Sequence, residues 1–255
     1  SLQKYQQIQK PIDEIKKDLK YKYINNFSKA SLKSFNDNLE RFNEIKLNNI
    51  SFKYKNTENY VLQELNLTIN KFDKIGVTGH SGSGKSTLIE ILMGLLKTNE
   101  GKILFNNREM QEITTEWYKL FAYVPQKVVL IDDTLISNIT LEYSEDNIDY
   151  RKLNDSIKFS GLKKFVDKNN GNLNIILGEN GSKMSGGEKQ RVAIARAVYK
   201  DPQILVFDES FNGLDVDMKK EILDGLQDYL QYKTAIFISH NSNDLKLCNK
   251  IIKVD

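Results

Sequence analysis

The sequence predicts an α/β fold with a mostly parallel core sheet, an N-terminal antiparallel β-subdomain and an inserted helical subdomain, on the strength of three kinds of stretch. The first is Gly79-His80-Ser81-Gly82-Ser83-Gly84-Lys85-Ser86, which fits the pattern G-x-x-x-x-G-K-[ST]. Strand-like Lys74-Ile75-Gly76-Val77-Thr78 precedes it and helix-like Thr87-Leu88-Ile89-Glu90-Ile91-Leu92 follows, the order of a strand, a loop and a helix. The second is a pair of apolar runs, Ile204-Leu205-Val206-Phe207 and Ala235-Ile236-Phe237-Ile238, too short for helices and without alternation, as strands buried on both faces of a parallel sheet are. The third is alternation at Ile45, Leu47, Ile50 and Phe52, then at Leu65, Leu67 and Ile69, which reads as half-buried strands ahead of the loop.

At 255 residues and 40% hydrophobic content the chain can bury one large core with a subdomain. Its 37 basic and 34 acidic side chains leave a formal charge of +3, too balanced for a nucleic-acid surface. A single cysteine, Cys248, excludes an intramolecular disulfide and a cysteine-rich metal site, and fits a reducing, cytoplasmic setting. No stretch reaches the roughly 20 apolar residues of a spanning helix, so this piece is expected to be soluble. The chain starts at Ser1 and ends just after Ile251-Ile252-Lys253-Val254, which is expected of an excised piece of a longer protein.

Residues 1–43 are rich in Lys, Asn and Gln and lack glycine; Ile8, Ile12, Ile15 and Leu19 recur at helical spacing, with Pro11 in a first turn. They read either as a solvated tail or as a helix and linker from a preceding module. Residues 44–255 form the main domain. After the glycine loop, Ile89, Leu92, Met93 and Leu96 continue a helix, and Gly101-Lys102-Ile103-Leu104-Phe105-Asn106-Asn107 reads as a strand and turn. A helix over 115–120 and a short strand Phe121-Ala122-Tyr123-Val124 lead to Pro125-Gln126. From 133 to 183 short apolar sets such as Leu153, Ile157 and Phe159 predict a mostly helical insertion, a subdomain extending over about 133–200.

The candidate chemistry lies in the loops between these elements. A triphosphate needs many donors at short range, and glycines let backbone N–H groups close around it. Gly79, His80, Ser81, Gly82, Ser83, Gly84, Lys85, Ser86 and Thr87 therefore form a nucleotide site of the P-loop NTPase class, with Lys85 on the β- and γ-phosphates, Ser86 on Mg²⁺ and a helix N-terminus behind them. Tyr54 either packs in the sheet or brings its ring to an adenine face. Gln126, at the end of a strand, is either a surface residue or a ligand for Mg²⁺ or water. Asp208 and Glu209 end a buried run, the arrangement that places Asp208 on the metal and Glu209 beside an attacking water. His240 ends the next run and is read as a γ-phosphate contact on the same edge. Ser185 and Glu188 form a capping box, and Gly186 and Gly187 leave bare N–H groups at that helix start, a second anion site.

With Ser185-Gly186-Gly187 standing between the phosphate loop and the run ending in Asp208-Glu209, the chain resembles ATP-binding cassette (ABC) ATPases over about residues 44–255. The resemblance implies a head-to-tail pair of identical copies, each closing its Ser185, Gly186, Gly187 and Glu188 in trans on ATP held by the other's phosphate loop. It implies that Tyr54 stacks on adenine, Gln126 senses Mg²⁺ and touches a transport domain, Lys85 and Glu209 serve catalysis with Glu209 as general base, His240 is the switch histidine and Asp215 contacts the partner copy. Gly178-Glu179-Asn180-Gly181 is similar to the stretch that meets coupling helices in exporters, and Lys10-Pro11-Ile12-Asp13-Glu14-Ile15 is similar to the segment after the last membrane helix of flippases for lipid-linked glycans. The implied function is ATP hydrolysis that powers export or flipping, at the cytoplasmic face of a membrane, with a transmembrane domain as partner and no nucleic acid. A soluble ABC ATPase working on ribosomes or DNA is the alternative. Glu188 replaces the usual Gln of the signature and Asn212-Gly213 the common Ser-Ala, changes that leave two competent sites expected. Terminal strands are expected beyond Val254.

Overall fold

The computed structural model describes residues 42–254 except 56, 111, 112 and 143. The helix expected at Ile8 to Leu19 and the flippase-like segment at Lys10 lie outside the described residues.

The chain begins with β1 (Glu44–Phe52) and β2 (Leu62–Asn70), paired antiparallel. β3 (Lys74–Thr78) starts a second sheet and runs through the glycine loop into α1 (Lys85–Leu92). The next strands, β4 (Glu100–Phe105) and β5 (Arg108–Glu109), return to the first sheet, whose order is β2-β1-β4-β5. A short α2 (Thr115–Lys119) leads to β6 (Phe121–Val124) and back into the second sheet. Three helices follow: α3 (Leu135–Thr140), α4 (Tyr150–Phe159) and α5 (Lys163–Lys168). Then come α6 (Gly186–Tyr199), β7 (Ile204–Asp208), α7 (Val216–Leu230), β8 (Thr234–Ile238) and β9 (Lys250–Lys253). The second sheet has the order β6-β7-β8-β3-β9, and every pair in it is parallel.

This is the predicted α/β architecture, an antiparallel sheet beside a parallel one. Alternation produced the first, since β1 buries Ile45 and Leu47 while Asn48 and Asn49 face solvent. Continuous apolar runs produced the second: Ile204, Leu205, Val206 and Phe207 are all at most 1% exposed. The sheets are joined by a chain of ring contacts. Phe105 of β4 meets Trp117 edge-on at 5.9 Å, and Trp117 meets Phe121 of β6 at 5.4 Å. Trp117 is fully buried, and its indole N–H is satisfied by the Leu92 carbonyl at 3.1 Å.

One helical expectation needs correction. α1 ends at Leu92 rather than running on to Leu96, because Gly94 takes φ +78° and closes the helix, with Gly94 N on Ile91 O at 3.0 Å and Leu95 N on Glu90 O at 2.7 Å. The insertion is the helical subdomain expected; after α5, residues 169–183 pass through turns and a short 3-10 helix at Glu179–Gly181, tied to the start of α3 by a bridge between Thr134 and Ile176. α6 explains how the insertion is held. Its Val192 and Ala195 belong to the core formed with Leu135, Ile139, Leu153 and Ile157, while its Ala193, Ile194, Ala197 and Val198 belong to the core under β7 and β8. Small side chains let one helix sit between two cores.

Gly94→Ala places a Cβ in the left-handed region and against Ile113, so it is expected to lower unfolding stability by about 2 kcal/mol, read as a lower urea midpoint at constant slope. An unchanged midpoint would remove Gly94 as the helix stop.

Candidate nucleotide site

Parallel pairing delivers the loops to one edge. β3 pairs with β8, and β8 with β7, so the glycine loop after Thr78, Asp208-Glu209 after Phe207, and His240 after Ile238 leave the sheet side by side. β6 lies next to β7 and brings Gln126 to the same edge.

The glycine loop is tightly folded. Gly84 is the N-cap of α1 at φ +96°. A Cβ on Gly79 would collide with the Val254 carbonyl oxygen and with Ser83 Oγ, so the first loop position admits no side chain. Lys85 is 8% exposed, and its Nζ curls back to donate to the carbonyls of Gly79 at 3.0 Å and His80 at 2.7 Å. Ser83 Oγ is buried without a hydrogen-bond partner, which buried hydroxyls rarely are. His80, Ser81, Gly82 and Ser86 are exposed around it, and Thr87 is buried. The His80 Nδ1 lies 2.9 Å from the Ser81 carbonyl. A concave loop without a Cβ at its start, an unpaired buried hydroxyl and a cationic side chain folded over it together suit a phosphate chain.

Tyr54 packs at the end of the first sheet and leaves part of its ring uncovered. It stands edge-on to Phe52 at 5.0 Å, its hydroxyl lies 3.0 Å from Thr87 Oγ1 in α1, and 43% of its surface remains open beside the loop.

Across the edge, Glu209 is the most heavily engaged side chain. Its Oε2 accepts Gln126 Nε2 at 3.1 Å and Asn212 Nδ2 at 3.0 Å, and its Oε1 lies 3.9 Å from His240 Nδ1. Its backbone sits at φ +45°, unusual outside glycine and asparagine, and its N–H is held by the Ile238 carbonyl at 3.0 Å. The structure thus brings Gln126, Glu209 and His240 together as expected. It adds Asn212, which the sequence marked only as a departure.

It also adds Tyr123, which the sequence marks only as a strand residue. The phenol donates to Asp208 Oδ2 at 2.7 Å; burial, and then this bond, push the Tyr123 hydroxyl well above its ordinary pKa, so it stays a donor. The available signal was its place as the outward residue of β6, one strand from Asp208.

Among the described residues no group of three or more His, Cys, Asp and Glu side chains could hold a metal. A Mg²⁺ that takes its other oxygens from phosphate and water needs only one or two protein ligands, and Ser86, Gln126 and Asp208 offer hard oxygen donors of that kind. The donor set fits.

Ser185 is the N-cap of α6. Its Oγ accepts Glu188 N at 3.2 Å and Glu188 Oε2 accepts Ser185 N at 2.8 Å, the reciprocal box read from sequence. Asp215 caps α7, with Oδ1 accepting Met218 N at 2.7 Å.

A phosphate loop at one end of a parallel sheet with an acidic strand end beside it defines a nucleotide-binding domain. The family model "ABC transporter" matches residues 62–212, and the chain belongs to that family. It is similar to the lactococcin-G-processing and transport ATP-binding protein of Lactococcus lactis subsp. lactis, 39% identical over 215 residues, covering 83% of this chain and 30% of the relative. It is similar also to the alpha-hemolysin translocation ATP-binding protein of Escherichia coli O157:H7, 33% identical over 213 residues with the same coverage, 83% and 30%. Among solved structures it matches a bacterial Atm1-family ABC exporter with ATP bound, with a TM-score of 0.76 and 30% identity, over 84% of this chain and 37% of that one. The chain therefore spans about a third of the length of the proteins it matches.

Ser185→Ala removes the cap and is expected to cost about 1 kcal/mol of unfolding stability. Calorimetry showing no change would mean that the Ser185 hydroxyl contributes nothing to the cap.

Proposed function

We propose that this chain is the ATP-hydrolysing domain of an ABC exporter or flippase, working as a head-to-tail pair of identical copies beneath a transmembrane domain. The observation that carries this reading is the joint placement of the glycine loop, Asp208, Glu209, Gln126 and His240 at one sheet edge. ATP lies along Gly79 to Thr87, with Lys85 leaving its two carbonyls for the β- and γ-phosphates and Tyr54 against the adenine. Mg²⁺, held by Ser86 and Asp208 with Gln126 close by, supplies charge neutralisation at the phosphates. Glu209 orients a water for in-line attack on the γ-phosphate and accepts its proton on Oε1, the oxygen left open by Gln126 and Asn212. His240 steadies the γ-phosphate. N–H groups of Gly186 and Gly187 from the second copy close the other side, near Asp215 of that copy.

The transmembrane partner is supported by an apolar surface. Val129 and Ile131, just past Gln126, and Ile176, just before Gly178, are 66%, 48% and 52% exposed. Leu130 N donates to Asn180 Oδ1 at 3.3 Å, so the two segments form one patch. No helix among the described residues is long and apolar enough to cross a membrane, so in this reading that domain is supplied by another part of the protein and the chain lies at the cytoplasmic face. The boundaries near 44, 133 and 200 belong to the same proposal. The relatives named above are transport and translocation proteins, and the solved structure is an exporter; none is named for ribosomes or DNA, which favours export over the alternative.

Two experiments test this. Glu209→Gln is expected to keep ATP binding and to lose roughly 10²–10⁴-fold in turnover; wild-type turnover would reject Glu209 as the base. In light scattering, Glu209→Gln with MgATP is expected to run as a dimer, and adding Ser185→Arg to return it to a monomer. A dimer that survives Ser185→Arg, in a protein whose fold Ser185→Ala leaves intact, would reject the shared site.

A further inference from the structure

Behind the candidate site the fold buries a charge that the proposed chemistry does not use. Asp244, 1% exposed, lies in the 3-10 turn Ser242–Leu245. Its Oδ2 accepts Ser239 Oγ at 2.7 Å, and its Oδ1 is paired with Lys219 Nζ, with both side chains largely withdrawn from solvent. Ser239 Oγ also accepts Asn241 N at 3.0 Å, and Ser239 N donates to Val77 O of β3 at 3.2 Å. Ser239 and Asn241 are the two neighbours of His240. Both are fastened to one hydroxyl, and that hydroxyl to Asp244.

Lys219 comes from a different element. It lies in the first turn of α7, where Lys219 N donates to Asp215 O at 3.0 Å and the Asp215 side chain caps the same turn. An exposed ion pair fixes little, because long side chains keep their freedom in water. A buried pair with a third partner does not have that freedom, and removing one member strands the other charge.

We propose that Lys219, Asp244 and Ser239 form a brace that sets His240 against the first turn of α7, so that His240 and Asp215 move as one body. All three are positioning residues: they act on the reaction through His240 and touch no nucleotide. The effect on turnover rests on the γ-phosphate contact proposed for His240, whereas the positional coupling does not.

The chain has two histidines, His80 and His240, so the imidazole Hε1 region of a proton NMR spectrum holds two signals, which His80→Gln assigns. Lys219→Met and Asp244→Asn are each expected to move the His240 signal, to leave that of His80 in place and to lower kcat for ATP about 10-fold with KM within about twofold. Lys219→Arg, which keeps the charge, is expected to return the signal and kcat toward the parent. Ser239→Ala leaves the ion pair intact and is expected to shift His240 as well; it decides the matter if a charge variant fails to fold. A His240 signal that stays put in Ser239→Ala and Lys219→Met, with only the melting temperature lowered, overturns the brace. A moved signal with unchanged kcat supports the brace and rejects instead the catalytic contact of His240.

Discussion

Parallel hydrogen bonding among β7, β8 and β3 is the constraint on which the site depends. In parallel strands every C-terminal end points the same way, so three loops far apart in sequence, after Thr78, Phe207 and Ile238, must leave the sheet as neighbours. The register does the fine placement. Asp208 pairs with Ile238, so the Glu209 N–H can reach the Ile238 carbonyl while its side chain meets Gln126 and His240. A slip of one residue would turn these side chains to the other face of the sheet.

α6 connects this edge to the rest of the molecule. It starts at the capped Ser185, lies between two apolar cores, and through Arg191 reaches both Glu221 of α7 at 3.1 Å and the Gly161 carbonyl before α5 at 3.1 Å. Arg191 is 7% exposed, so the guanidinium is an internal tie rather than a surface charge. The helix start that carries Ser185 is therefore set by the packing of both the insertion and the core sheet.

What could be read from the sequence followed the range of the forces involved. The glycine loop, the capping box of Ser185 and Glu188, and the strand runs at 204 and 234 are local patterns, fixed by residues within a few positions of each other. The end of α1 was misread because Leu96 keeps helical spacing while Gly94, a single residue, stops the backbone. The path of 169–183 is set by pairing with Thr134 and Asp133 rather than by its own composition, so spacing does not reveal it. Tyr123 on Asp208, Asn212 on Glu209 and Lys219 on Asp244 are contacts of side chains that carry no spacing rule; only the assembled sheet and helices bring them together.

The backbone of Glu209 has a consequence for how such a chain can change over time. At φ +45° a glycine or an asparagine would sit with less strain than a glutamate, and neither could serve as the base we propose Glu209 to be. In that proposed role, stability and turnover pull this one codon in opposite directions. A lineage in which hydrolysis is no longer selected has a downhill route there, and a cassette that binds nucleotide without splitting it is what that route would leave behind.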